Sequence, residues 1–366
     1  MTGAECVVEA ARTQRVSSSN PVIAIHHRKG SYSDYWISWC EANGVDFRIV
    51  DAYSTGVVRE VRAYDGFMWH WHQDHKADPL FARQLILSLD SMGMPVFPNP
   101  RTCWHFDDKL GQKYLLEALD LPLVPSFAFY TAEAALEWVA TASLPLVFKL
   151  RGGAGSMNVK LVTTLEHAQK LIRKAFDFGF SSRDQLAAGR QARWLYKRDG
   201  GVERLLRAQY RTVRGAISML TPASILSPRE TGYVYFQKFI PGCAFDHRMI
   251  VIGDRCFCIQ RAVRTGDFRA SGSGLLSYSP ELFPRRTVKM AFDAAKRLGT
   301  QSLALDVLYD SDGNHYIGEV SYGFPRGRFA ENCPGFFDSK LNWHEGQQIP
   351  PNLMIDDFVR SIVDGQ

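Results

Sequence analysis

Lys149 closes a short strand-like run, Leu146-Val-Phe-Lys149, and past Leu150 the chain reads Arg151-Gly-Gly-Ala-Gly-Ser156. Glycines at 152, 153 and 155 let a backbone approach a phosphate closely and aim its N–H groups at it, and Lys149 adds a cation beside that loop. A plain hairpin turn between two strands is the competing reading. A second set of residues lies near the other end of the chain. Asp306 sits in the apolar run Leu303-Ala-Leu-Asp-Val-Leu-Tyr309, and Glu319 and Ser321 sit in Asn314-His-Tyr-Ile-Gly-Glu-Val-Ser321. Residues two apart on a strand share a face, so Glu319 and Ser321 point one way, and pairing of the two runs can bring Asp306 beside them. An acid in so apolar a strand needs a partner. A magnesium ion and an arginine both remain open. A third set is histidine-rich: His26, His27, His70, His72 and His75, with Trp69 and Trp71 interleaved. Those at strand ends suit a substrate cleft, a metal site or ordinary packing.

The elements that must hold these residues follow from periodicity and punctuation. Residues 21–100 alternate short apolar strands (21–26, 45–50, 66–71, 94–97) with helices from Ser33 and from Asp78-Pro79, which predicts a small parallel α/β domain. Asp107 is expected to cap a helix over 108–119 that carries Lys109. A strand near 126–130 and a helix over 132–141 precede the glycine loop. Thr163 and Glu166 form an expected capping box for the helix that follows. Residues 233–240 make a strong strand. His247–Ile252 and Arg255–Ala262 flank Gly253-Asp254, a hairpin signal. A polar stretch runs from Arg264 to Gly274, a helix is expected over 285–298 with Gly299 closing it, and the Asp306 and Glu319 runs form an antiparallel pair across the turn 310–313. Beyond Ser321 the chain is aromatic and turn-rich. Arg326, Arg328, Trp343 and His344 either line an acceptor pocket or belong to a packed wrap, and a helix over 352–363 ends the fold.

With 366 residues, 46% hydrophobic and 22% charged, the chain is an ordinary globular protein of two or three domains. No apolar run reaches the roughly 18–20 residues that span a bilayer. Residues 1–19 lack an apolar signal-peptide core and read as a disordered tail in a cytoplasmic protein. The seven cysteines are scattered and odd in number, as expected of reduced thiols rather than a disulfide framework or a zinc site. A net charge of +5 is a mild bias toward anionic ligands and no nucleic-acid signature. The basic residues concentrate in the segment 181–232, which reads as an insertion. Between Arg183 and Arg214 they outnumber acids nine to three. That segment is either a solvated amphipathic helical pair or a surface for an anionic polymer or membrane.

The order of these motifs over residues 99–322 resembles the ATP-grasp superfamily, of the peptide-ligase, glutamate-ligase and D-alanine–D-alanine ligase type. The resemblance is carried by the Lys109 helix after Asn99-Pro100, by Phe148-Lys-Leu-Arg-Gly-Gly-Ala-Gly-Ser156, and by Phe236-Gln-Lys-Phe-Ile-Pro-Gly242. Phe245-Asp-His-Arg248, Gln260-Arg261, Phe268-Arg-Ala-Ser-Gly-Ser-Gly274, Leu305-Asp-Val307 and Glu319-Val-Ser321 complete it. It implies a parallel α/β pre-ATP-grasp domain at 20–100, a small α+β lobe at 101–232 that contains the insertion, and a large α+β lobe with a C-terminal wrap at 233–366.

The resemblance also implies roles. Lys109 and Lys149 would contact nucleotide phosphates, with Lys149 near the adenine as well. Gly152, Gly153, Gly155 and Ser156 would close over the β- and γ-phosphates. Gln237, Lys238 and Phe239 would form the strand edge that meets the adenine, and Asp246 would lie near the ribose. Arg248, Arg261 and Arg269 would face the γ-phosphate and an acyl-phosphate. Asp306 and Glu319 would hold two magnesium ions, for which manganese can substitute. Ser321 stands where the family more often has Asn, and a hydroxyl is the weaker ligand. The implied activity is ATP-dependent, ADP-forming joining of a carboxylate to an amine through an acyl-phosphate, in natural-product or surface-glycan tailoring. The basic segment would suit an anionic, polymeric or lipid-linked acceptor, and a homodimer is compatible with this reading. A small-molecule kinase on the same fold and a non-catalytic ATP-binding scaffold are the alternatives.

Overall fold

In a computed structural model, the protein is described over residues 20–75, 77–153, 158–181, 229–263, 270, 274–326 and 330–365. The expected tail, most of the basic segment, Arg328 and most of the stretch 264–274 lie outside the described residues.

The first sheet is parallel and four-stranded. It comprises β1 (Val22–His26), β2 (Asp46–Val50), β3 (Gly66–Trp69) and β4 (Val96–Phe97), in the order β2-β1-β3-β4. Crossovers run through α1 (Ser33–Asn43) and α2 (Asp78–Ser91). Gly44, at φ 66°, ends α1 in the left-handed conformation that a side chain resists. α2 has proline in its first turn, as Asp78-Pro79 predicts.

Next comes α3 (Lys109–Ala118). Its cap is Asp108, whose carboxylate accepts from Gly111 N at 3.0 Å, not the expected Asp107. Asp107 instead adopts φ 53° and turns its side chain elsewhere. The second sheet is built from β5 (Ser126–Phe129), β6 (Leu146–Lys149) and β7 (Lys160–Val162), with α4 (Ala132–Val139) and α5 (Leu165–Asp177) packed on one side. Thr164 caps α5 by accepting from His167 N at 3.2 Å, one residue later than the expected box. β8 (Phe180–Ser181) and β9 (Arg229–Glu230) pair with each other and bring the two ends of the basic segment together. β10 (Val234–Lys238) then enters the second sheet between β5 and β6.

The third sheet has β11 (Phe245–Ile252) and β12 (Arg255–Ala262) at its centre, joined by the expected Gly253-Asp254 turn. β13 (Leu276–Ser277) pairs with β12, and α6 (Arg285–Leu298) ends at Gly299, again left-handed at φ 65°. β14 (Ser302–Tyr309) and β15 (His315–Ser321) are antiparallel, as expected, with β14 beside β11. β16 (Gly335–Asp338), β17 (Trp343–Glu345) and α7 (Pro350–Asp364) complete the chain. One core joins the first and third sheets. Ile23, Ile25 and Trp36 share it with Ile250, Ile252 and Phe257, and Phe358 and Ile362 of α7 fill the space between. α7 lies so close to β3 that a Cβ on Gly66 would stand 2.8 Å from both Phe358 and Ile362. The first and third sheets are thereby fixed against each other, while the second sheet keeps a core of its own. No described helix is long and apolar enough to cross a membrane.

Candidate functional site

A cavity of about 960 Å³ opens where the three sheets meet, and most of the residues singled out above line it. Strand register explains why. Arg248 on β11 stands opposite Asp306 on β14, Asp306 stands opposite Glu319 on β15, and Asp246 on β11 stands opposite Arg261 on β12. One face of one sheet therefore carries two guanidinium groups and three carboxylates in adjacent rows. The register slips between Asp306 and Val307, so that Gly318 on β15 has no opposite number, an irregularity common beside functional sites.

Asp306 is held twice. Arg248 donates Nε to Oδ1 at 2.7 Å and Nη2 to Oδ2 at 2.9 Å, and Arg261 adds Nη2 to Oδ2 at 2.8 Å. Burial would raise its carboxyl pKa, but the two guanidinium groups outweigh burial and hold it well below the usual carboxylate range. Arg261 also forks onto Asp246, with both bonds at 2.6 Å. The sequence left a choice at Asp306 between a cation and an arginine. In this structure the arginines are there, and they leave Asp306 ionised at the cavity wall. Asp246, expected near a ribose, is 5% exposed and turned to Arg261.

Two lysines enter from α3 and from the second sheet. Lys109, at the start of α3, donates Nζ to Gly153 O at 2.9 Å and lies 3.3 Å from Glu319 Oε1. Burial opposes its charge, yet Glu319 and Asp107 more than offset that and raise its pKa. Lys149, at the end of β6, donates to Gln237 Oε1 at 2.6 Å. Burial is the main cause that pushes its ammonium down to about 8, and Lys109 adds to it. Gln237 is fixed in turn by Ser126 Oγ at 3.1 Å. Lys238 and Phe239, where β10 runs out, also line the cavity.

The glycine loop is gripped at its start. Asp107 accepts from Gly153 N at 2.7 Å, Lys109 N donates to Arg151 O at 2.9 Å, and Arg151 N donates to Tyr233 OH at 2.6 Å. A Cβ on Gly152 would stand 3.3 Å from Asp107 Oδ2, a tight contact that would press on the carboxylate gripping the loop. Burial pushes the Asp107 carboxyl up to about 6. The sequence showed Asp107 only as a helix cap, and nothing local marks its bond to a loop 46 residues away. Gly155, Ser156 and Arg269 lie outside the described residues.

Ser321 lines the cavity, but its hydroxyl donates to Gly323 O at 2.6 Å and accepts from Gly323 N at 3.2 Å, which closes a local turn. Among the described residues no group of three or more His, Cys, Asp or Glu side chains is placed to hold a metal by itself. Magnesium does not need one. It is usually bound through one or two carboxylates with substrate phosphates and waters, and Asp306 and Glu319 on facing strands fit that donor set. The cavity's far end is walled by Arg28, His70, His72 and Arg326 of the loops around the first sheet. Trp343 and His344 are elsewhere: Trp343 packs on Phe337, and His344 meets Asp338 at 2.8 Å. The described cysteines are all free thiols.

No protein-family model matches the sequence, and no curated protein does. Solved structures do. The RimK domain ATP-grasp protein of Sphaerobacter thermophilus is 17% identical, with a TM-score of 0.52 over 93% of this chain and 99% of its own. The D-alanine–D-alanine ligase of Bacillus anthracis, solved with ATP, is 13% identical, with a TM-score of 0.55 over 96% of this chain and 100% of its own. The biotin carboxylase domain of the Hydrogenobacter thermophilus 2-oxoglutarate carboxylase, solved with MgADP and bicarbonate, is 12% identical, with a TM-score of 0.54 over 94% and 70%. At such identities the likeness speaks for fold.

Proposed function

From a chain that has the ATP-grasp fold, with a parallel α/β domain ahead of two α+β lobes, we propose an ATP-dependent ligase that joins a carboxylate to an amine through an acyl-phosphate. The observation that carries this reading is the convergence of Lys109, Lys149, Arg248, Asp306 and Glu319 on one cavity from α3, the second sheet and the third sheet. The lobes would span 101–232 and 233–366, with the first domain at 20–100.

In this reading the adenine lies against Gln237–Phe239, and Lys149 and Lys109 bind the phosphates beneath the loop that starts at Gly152. Magnesium, when bound, would neutralise charge on the transferring group. Asp306 and Glu319 would hold it. Arg248 and Arg261 keep Asp306 ionised and place positive charge beside the γ-phosphate, with Arg269 as a third cation. A substrate carboxylate oxygen attacks the γ-phosphorus and ADP leaves. The amine nitrogen then attacks the acyl carbon and inorganic phosphate leaves. Positioning and preorganised charge do most of this work, so no nucleophilic side chain is needed. The inward turn of Ser321 favours the second reading, a scaffold that binds ATP without using it, because it takes one candidate ligand away from the metal.

The two readings separate by product analysis. With ATP, magnesium and paired acid and amine libraries, a ligase releases ADP and phosphate only when both partners are present. ADP formed without free phosphate, from an acid or alcohol alone, identifies a kinase, and no ADP with any pair favours the scaffold.

A further inference from the structure

The end of the cavity remote from Lys149 has its own architecture. In the first sheet the chain passes from β1 to β2 on one side and then crosses back to β3 on the other. The carboxyl ends of β1 and β3 therefore bound a topological switch point, the place where open parallel sheets present a ligand crevice. The loop after His26 and the loop after Trp69 both open into the cavity there.

Three cations meet at that crevice. Arg28 is built in: its Nη1 donates to Asp78 Oδ2 at 3.1 Å and its Nη2 to His70 O at 2.9 Å. Asp78 is completely buried and also accepts from Tyr53 OH at 2.5 Å and from His72 N at 2.7 Å. A buried carboxylate is costly to retain, and this one fixes a guanidinium at a cavity wall. Arg326 is fixed from the other side by Ser31 O at 2.6 Å and Asp34 at 2.9 Å. Lys29 is exposed between them and has no ion pair among the described residues. Among the described residues Asp74 is the one other acid on this wall, 3.5 Å from His72 and facing solvent. His70 is neutral, because burial lowers its pKa well below the usual value, and its Nδ1 accepts from Tyr32 N.

We propose that this switch-point crevice is an anion subsite. It takes a carboxylate or phosphate group of the substrate that is remote from the reacting carboxylate, and Arg28, Lys29 and Arg326 grip it. The substrate assignment rests on the ligase reading, since the nucleotide occupies the other end. The segment that carries Arg326 continues directly from β15, so the wall of this subsite and the Glu319 strand are one piece of chain. Tyr32 OH bonds both Phe324 O and Phe324 N, at 2.6 and 2.7 Å, and locks that piece to the first domain.

The test uses the full chain with magnesium and a non-hydrolysable ATP analogue. Succinate and inorganic phosphate are titrated separately, and the ring resonances of His70 and His72 are followed by NMR. Arg28→Ala would strand Asp78 and endanger folding, so Lys29→Glu and Arg326→Gln are the informative variants. The expected result is saturable shifts with one or both anions. Each variant should weaken them about tenfold, the scale of one lost charge-assisted contact, and leave binding of the analogue unchanged. Succinate alone would identify a carboxylate subsite, phosphate alone a phosphate subsite. No shift with either anion, or variants that bind as tightly as the parent, overturns the proposal. Failure of the analogue to bind, with anion shifts intact, would instead count against the ligase reading.

Discussion

In the proposed ligase, Glu319 and Lys149 are the residues on which the chemistry turns. Among the described residues Glu319 makes its one ion pair with Lys109, and it stands opposite Asp306, so its charge is available to a cation. Glu319→Gln preserves size and strand pairing while removing that charge. Turnover should fall at least about 100-fold in a protein that still folds, with the melting temperature lowered because Lys109 loses one of the carboxylates that offset its burial, and near-normal turnover would exclude Glu319 as a metal ligand. Lys149 titrates in an accessible range because burial pushes it down to about 8. A bound phosphate restores the charged form. Nucleotide affinity should then be full below that pH and decline as pH rises through it, toward tenfold per unit. Lys149→Arg should flatten the profile. Affinity independent of pH between 7 and 9.5 in the parent would show that Lys149 does not meet the phosphates.

At the scale of elements, the parts governed by short-range rules were legible and those set by distant partners were not. The Gly253-Asp254 hairpin, Gly299 and Pro79 are local signals, and each stands where the sequence placed it. The caps at Asp108 and Thr164 were missed by one residue, since neighbouring polar residues satisfy the same rule and tertiary fit chooses between them. The Asp306–Glu319 pairing was legible because both runs flank one turn. The fork of Arg261 on Asp246 follows from the same logic, since the two face each other across the Gly253-Asp254 turn, whereas the grip of Asp107 on Gly153 and the crevice at Arg28 join separate segments that no spacing announces. The basic segment yields one prediction from its flanks. Ser181 and Arg229 are paired neighbours, so residues 182–228 can be replaced by a short Asn-Gly turn. The shortened protein should fold and bind ATP as the parent does. Loss of the cooperative melt would show that the segment belongs to the core.

At the scale of the whole molecule, the proposed nucleotide end and the proposed anion end share one cavity because α7 and the 321–326 segment bind the first sheet to the third. The central claim is that this cavity holds a magnesium nucleotide against Asp306 and Glu319. Calorimetric titration of ATP, with and without magnesium, against the parent and Asp306→Asn tests it most directly. The account predicts binding that depends on magnesium in the parent and is weakened in the variant. No binding in either condition, or binding indifferent to both magnesium and the substitution, would contradict it.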